Sequence, residues 1–181
     1  MATAARAFRN GGLQGIGIAD LMSQVGLTHG GFYAHFKDRD ALVAEASVHA
    51  AVESFCKLAE AAKSARPGHE VEAMLDFYLS PAHRDNPGSG CLLPALGADL
   101  SRQSKPVRRA FTNSLKENMG KVARYMPGSN ANIRLARAMM LVSSMAGGIL
   151  LARATNDPVL SDLLLASVRT QLLRLLESWR D

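Results

Sequence analysis

The chain is poor in the residues that staple or catalyse. Two cysteines in 181 residues, Cys56 and Cys91, cannot form the disulfide framework of a small secreted scaffold. The opening Met1-Ala2-Thr3-Ala4-Ala5-Arg6 lacks the apolar core of a secretion signal. Reduced thiols and a cytoplasmic location are the expectation. The longest apolar stretch, Ala138 to Ala152, is broken by Ser143, Ser144, Gly147 and Gly148 and reads as too short to cross a bilayer. Aromatic residues make up only 6%, while alanine and leucine dominate, which favours helices. No segment reads as a strand, an internal repeat or a low-complexity tract.

Catalytic signatures are missing too. His29, His35, His49, His69 and His83 show no metal-ligand spacing with the two cysteines. There is no Gly-x-Ser-x-Gly, no phosphate loop and no dinucleotide fingerprint. Asp85 beside His83 reads as shaping a turn. No cofactor, no metal and no enzyme activity are expected. Charge is also scarce where a nucleic-acid site would want it. The net charge is +5, which fits a nucleic-acid partner. Residues 1–48 are nonetheless neutral: Arg6, Arg9, Lys37 and Arg39 balance Asp20, Asp38, Asp40 and Glu45. The basic excess lies downstream, for example at Lys105, Arg108, Arg109, Lys121 and Arg124.

What is present is a pattern of helices and breaks. Hydrophobic residues at 48% and charged ones at 20% suit an ordinary globular protein, long enough for one domain or two small ones. Helices are expected over residues 2–10, from Asp38 to about Ala65, from Glu70 to Leu79, from Cys91 to Leu100, and from Lys105 to Tyr125. Two more are expected, from Ile133 to Ala154 and from Pro158 to Trp179, with Asp157 as N-cap and Pro158 in the first turn. Ser80 to Gly90, with Pro81, Pro87, Gly88 and Gly90, reads as the clearest loop. Leu160, Leu164, Val168, Leu172, Leu175 and Trp179 form a stripe predicted to pack on the preceding helix and on a second copy of the pair. Small residues at Ser143, Ser144, Gly147 and Gly148 suit close helix approach across that seam.

The organising stretch is Leu21 to Leu42. A short helix ends at Val25, Gly26 suits a left-handed stop, and Thr28 suits the N-cap of a second helix. That is a helix-turn-helix, whose second helix is built to enter a DNA major groove. Gly26-Leu27-Thr28, then Gly30, Phe32-Tyr33-Ala34-His35-Phe36, Arg39-Asp40 and Leu42 closely resemble the TetR family of bacterial repressors. The resemblance is tight over residues 8–43 and looser beyond.

The resemblance implies an all-α protein with a DNA-binding domain over residues 1–45 and an effector-binding and dimerisation domain over 46–181. It implies a double-stranded DNA operator, a homodimer through the last two helices, a small-molecule effector and no membrane. Thr28, His29, Gly30 and Gly31 open the recognition helix. Base reading is assigned to Thr28, His29 and Tyr33, and phosphate contact to Tyr33, His35 and Arg39, with Lys37 a further DNA-binding residue. Phe32 and Phe36, four apart, should be core. The chain departs from the family at Ile16 and Gly17, where a hydroxyl residue is usual and both caps the second helix and bonds a phosphate. The first helix is also shorter at its start than is usual.

Phe77, Tyr78, Cys91, Leu96, Phe111, Leu115, Met119 and Met140 are the expected cavity lining, which would suit a lipophilic or electrophilic effector. Cys91, at a helix start after Gly90, suits a reactive thiol or a small buried hydrophobe. Two other functions stay open at this point. One is a helical small-molecule binder without DNA binding, suggested by the hydroxyl-free Ile16-Gly17. The other is a thiol enzyme centred on Cys91.

Overall fold

The computed structural model describes residues 1–179, except for the side chain of His29. Among these residues the chain forms helices α1 (Ala2–Gly11), α2 (Ile18–Gln24), α3 (His29–Phe32), α4 (Arg39–Lys63), α5 (Glu70–Tyr78) and α6 (Pro81–Asp85). They are followed by α7 (Leu92–Ser101), α8 (Lys105–Ala123), α9 (Ala131–Ala154) and α10 (Pro158–Ser178), with no strand among the described residues. The elements divide into two compact units, Met1–Ser54 with Pro87–Leu115, and Phe55–Asn86 with Lys116–Asp181.

The first unit is built on apolar residues spaced for helix faces. Ala4, Ala5 and Phe8 of α1 and Leu21 and Met22 of α2 are buried with Phe32, Leu42, Val43 and Ala46. Leu92, Leu96 and Leu100 of α7 and Val107 of α8 belong to the same core. Each of the larger side chains (Leu, Val, Met, Phe) contributes on the order of 1.5–3 kcal/mol by leaving water. At the end of α1 lies a charge that the core would otherwise reject. Arg9 is 4% exposed. It donates to the Gly90 carbonyl at 2.9 Å and to Glu53 Oε2 of α4 at 2.7 Å. Ser54 Oγ donates to the same Gly90 carbonyl at 3.2 Å. The α1–α2 turn is clamped at Leu13, whose N–H donates to Asp99 Oδ2 at 2.9 Å while Arg39 donates to its carbonyl.

The second unit centres on α9 and α10, joined by Thr155-Asn156-Asp157 and packed along each other. Gly148 makes the approach possible, since a Cβ there would lie 3.3 Å from Val168 and 3.4 Å from Leu79. Asn130 caps α9 by accepting from the Ile133 N–H at 3.0 Å. Asp157 caps α10 by accepting from Val159 and Leu160, as the Asp-Pro pair predicts. Arg137 stacks 4.9 Å from the Trp179 ring centre and donates to the Pro127 carbonyl at 2.8 Å. Arg84 of α6 pairs with Asp85 and with Asp162 of α10 and holds the Asp85 carboxyl below its ordinary value.

Three expectations change. The segment read as a loop from Ser80 to Gly90 contains α6 and a 3-10 turn at Pro87–Ser89. Ser80 Oγ accepts from the His83 N–H at 3.1 Å and Pro81 fills the first helical position, so the prolines begin turns of helix rather than prevent them. The apolar stretch read as too short grows at its N-terminal end. With Asn130 as cap, α9 runs for 24 residues and is long and apolar enough, by length and composition, to cross a membrane. One side of it packs along α10 and α6.

The α10 stripe changes only at its start, where Leu160 is exposed. Leu164, Val168, Leu175 and Trp179 are half-buried and Leu172 buried, while Val159, Leu160 and Leu163 are exposed. The first turns of α10 are apolar nearly all round, so spacing alone does not select the outward face. On α9 the exposed side carries Ala136, Met139, Met140, Ser143, Leu150 and Leu151 at helical spacing. Gly148 of the small-residue cluster faces inward, against Val168 of α10 and Leu79 just past α5.

His83 supplies a pH dependence. Its ring lies 4.5 Å from the Tyr78 ring and 6.0 Å from the Phe77 ring, with Nδ1 2.6 Å from the Tyr78 carbonyl. Burial pushes its pKa below the ordinary 6.5, opposed by that carbonyl and reinforced by Arg153 and Lys57. Below pH 6.5 the unfolded chain therefore binds more protons at this residue than the native one. Its stabilising contribution is complete above 6.5 and falls as pH drops toward the depressed native value. Denaturant unfolding at pH 7.5, 6.5 and 5.5 is expected to show a progressive loss, smaller in His83→Gln; equal losses in the two proteins would contradict this.

Candidate nucleic-acid interface

The turn between α2 and α3 is closed by the backbone. The Leu27 N–H donates to the Met22 carbonyl at 2.9 Å and the Gly26 N–H to the Ser23 carbonyl at 3.0 Å. These two bonds make a Schellman stop. Gly26 has φ +72°, in the left-handed region that costs other residues roughly 1–2 kcal/mol. The chain then turns at Leu27, and Thr28 caps α3 by accepting from the Gly31 N–H at 3.2 Å.

Helix α3 has only four residues, His29–Phe32. Gly30 and Gly31 are poor helix formers, and the following residues continue as turns, with the N–H groups of His35 and Phe36 both donating to the Phe32 carbonyl at 2.9 Å. Phe32 anchors this short element. It is fully buried, its ring centre lies 5.5 Å from that of Phe36, and Tyr33 meets it edge-on at 5.1 Å. Both phenylalanines thus sit on the core side as their spacing predicts.

Thr28, Gly30, Tyr33, His35 and Lys37 are exposed, and Gly31 is half-buried. Tyr33 is 62% exposed, a high value for a ring that could have packed. The side chain of His29, assigned to base reading, lies outside the described residues. Arg39 is half-buried and turned toward Leu13, so at least one donor of its guanidinium braces the α1–α2 turn. Asp38 caps α4, accepting from the Ala41 N–H at 2.8 Å. At the other helix start, Gly17 supplies no side-chain cap to α2, and Ile16 packs against the core. The first N–H groups of α2 are thus left without the hydroxyl partner that the family pattern supplies.

The eight residues expected to line an effector cavity are divided between the units. Cys91, Leu96, Phe111 and Leu115 fall in the first; Phe77, Tyr78, Met119 and Met140 fall in the second. Leu96 is core and Phe111 packs against that core. Tyr78 and Met119 are buried, whereas Phe77 and Met140 are each 38% exposed. Cys91 is half-buried at the N-cap of α7, its Sγ accepting from the Leu93 N–H at 3.5 Å. A separate cleft of about 370 Å³ in the second unit is lined by Arg84, Asp85, Arg153, Asn156 and Ser161 among others, and by none of the eight.

Sequence spacing missed Arg9, Leu13 and Asp99. Arg9 and Gly90 are 81 positions apart, and Leu13 and Asp99 are 86 apart, and no local pattern marks either pairing.

A helix-turn-helix with an exposed, capped second helix, in an otherwise all-helical chain, has the form of a DNA-binding unit. Residues 1–46 match the model of the bacterial regulatory proteins of the tetR family. The whole chain shares its fold with solved members. It resembles NemR of E. coli in its reduced form at 19% identity and TM-score 0.74, over 94% of this chain and 91% of that one. It likewise resembles the TetR-family regulator SCO4454 of Streptomyces coelicolor at 20% identity and TM-score 0.74, over 99% and 93%. A TetR-family regulator of Agrobacterium tumefaciens gives 19% identity and TM-score 0.73, over 94% and 92%. No curated protein matches the chain. The chain thus matches the tetR family over its first 46 residues and shares the fold of TetR-family regulators over nearly its whole length.

Proposed function

We propose that the chain is a ligand-responsive repressor that binds a palindromic operator as a homodimer and leaves it when a small lipophilic or electrophilic effector binds. The exposed α3 segment carries the reading, because Tyr33, His35 and Lys37 stand in water on an element whose core side is fully packed. In this reading Thr28, His29, Gly30, Gly31 and Tyr33 approach the base edges. Tyr33, His35, Lys37 and the remaining donors of Arg39 grip phosphates.

The outward faces of α9 and α10 support the dimer. Met139, Met140, Leu150, Leu151, Val159, Leu160 and Leu163 are 38% to 77% exposed, an apolar patch of the kind that marks an interface. A two-fold axis through that patch would present two recognition helices to an inverted repeat. The effector acts by favouring a conformation in which those helices no longer fit successive grooves. A hundredfold release requires about 2.7 kcal/mol of preference for that conformation. The apolar character of Leu115 and Met119 on α8 and the thiol of Cys91 support the effector's chemistry.

Selection of bound fragments from random and genomic DNA tests the reading. The recovered sequences are expected to be inverted repeats with half-sites about one helical turn apart. Lys37→Ala should weaken these and unrelated duplexes alike, lowering the salt slope by about one for each phosphate no longer neutralised. Recovery of no preferred sequence, at low salt and with folded protein, would refute the operator; unsymmetrical sites would refute the dimeric reading.

A further inference from the structure

We propose that the exposed basic face at the start of α8 is a second contact surface for duplex DNA, gripping phosphates that flank the operator core. The proposal rests on the operator-binding reading above and extends it to a part of the chain outside residues 1–46.

Charge distribution carries the argument. Within the first unit, residues 1–54 hold four cations and five acids, so the segment bearing the helix-turn-helix is slightly acidic. Residues 87–115 hold Arg102, Lys105, Arg108 and Arg109 against Asp99 alone. The positive charge of this unit therefore comes from the α7–α8 corner. All four cations are exposed. Arg102 pairs with Asp99 at 2.7 Å while remaining 67% exposed, and among the described residues Lys105, Arg108 and Arg109 pair with no acid.

The cations are also organised. Lys105, Arg108, Arg109 and Thr112 fall at helical spacing on one exposed face, opposite buried Val107 and Ser114 and half-buried Phe111. The first turn of α8 holds no acid. Cations there oppose the helix dipole at a cost of roughly 0.3–1 kcal/mol each, so helix stability gives no reason for placing them at that end. A polyanionic partner does.

Duplex DNA is the partner favoured by continuity with the helix-turn-helix. Asp99, at the end of α7, holds the Leu13 N–H at 2.9 Å, and Arg39, at the start of α4, holds the Leu13 carbonyl. The α7–α8 corner is thereby fastened to the turn that leads into α2, the first helix of the DNA-binding motif. Phosphates flanking the sequence read by α3 would then meet three cations that form no part of the base-reading element.

The test compares the selected operator core with the same core extended by about 10 base pairs, roughly one helical turn, on each side. Wild-type full-length protein and the Lys105→Ala/Arg108→Ala/Arg109→Ala variant are titrated onto both by fluorescence anisotropy over a range of salt. Circular dichroism and thermal unfolding establish that the variant is folded. Wild type is expected to prefer the extended duplex by about tenfold or more, with a salt slope steeper by about 2–3 per protomer. The variant should bind the core as wild type does and gain nothing from the flanks.

Tight wild-type binding that ignores the flanks overturns the proposal and leaves the operator reading intact. Equal losses by the variant on both duplexes overturn it as well, since the cations would then act through the general field. A poly-glutamate chain that the variant ceases to bind, with DNA affinity unchanged, would assign the face to an acidic polypeptide instead. Binding of neither duplex by wild type would refute the operator reading, and this proposal with it.

Discussion

Phe32→Ala is expected to lower the unfolding free energy by about 3–5 kcal/mol and to remove sequence-specific DNA binding. The ring is fully buried and packed against Phe36 and Tyr33, so truncation removes its transfer free energy and leaves a void. The local consequence exceeds the global one. A four-residue helix with two glycines has almost no stability of its own, and Phe32 is the large side chain by which α3 grips the core. The variant should therefore lose operator affinity at temperatures where far-ultraviolet circular dichroism shows the other helices intact. Phe32→Leu, which restores part of the volume, should fall between the two. Stability within about 0.5 kcal/mol of wild type after Phe32→Ala would show that the ring is not the anchor described.

Arg9→Met is the second large effect, expected at about 2–4 kcal/mol and, for a chain of this length, a fall in Tm of very roughly 4–16 °C. Removing the guanidinium takes both the 2.9 Å bond from Gly90 and the 2.7 Å partner from Glu53. The Glu53 side chain is 32% exposed, so water reaches the orphaned carboxylate and the loss stays at the lower end of what a broken buried pair costs. The Gly90 carbonyl keeps Ser54. If charge stranding is the main cause, Arg9→Met combined with Glu53→Met should recover most of the stability, because an apolar pair of similar volume replaces an ionic one at little net cost. A double variant as unstable as the sum of the singles would instead mean that the shape of the clamp, and not its charge, holds the segment.

The sequence was most legible where structure is local. Gly26, Thr28 and the Phe32–Phe36 spacing specify the turn, the cap and the buried side of α3 within one short stretch, and the Asp157–Pro158 pair specifies the start of α10. Legibility failed where several answers satisfy the same local rule. Prolines in Ser80–Gly90 suit a loop and suit first helical turns equally, and Ser80 decides between them through a bond to His83. The outward side of α10 could not be chosen because Val159, Leu160, Leu163, Leu164 and Leu165 surround the helix. Burial was also beyond local reading, since Leu96, in the core, and Met140, exposed on α9, carry the same apolar pattern. The partners of Arg9 and Leu13 lie 26 to 86 positions away in the chain, where periodicity has nothing to say.

The core beneath the DNA-binding helices has a consequence for modularity. Residues 1–46 form the stretch by which the family is recognised, yet Phe8, Leu13 and Phe32 share one buried cluster with Leu92, Leu96, Leu100 and Val107. Gly90 and Asp99, from the same later segment, supply polar clasps on Arg9 and Leu13. A transplant that carried only the recognisable stretch onto another effector domain would leave a third of that buried cluster behind. In this chain the portable unit is discontinuous: the recognition segment together with α7 and the first turns of α8.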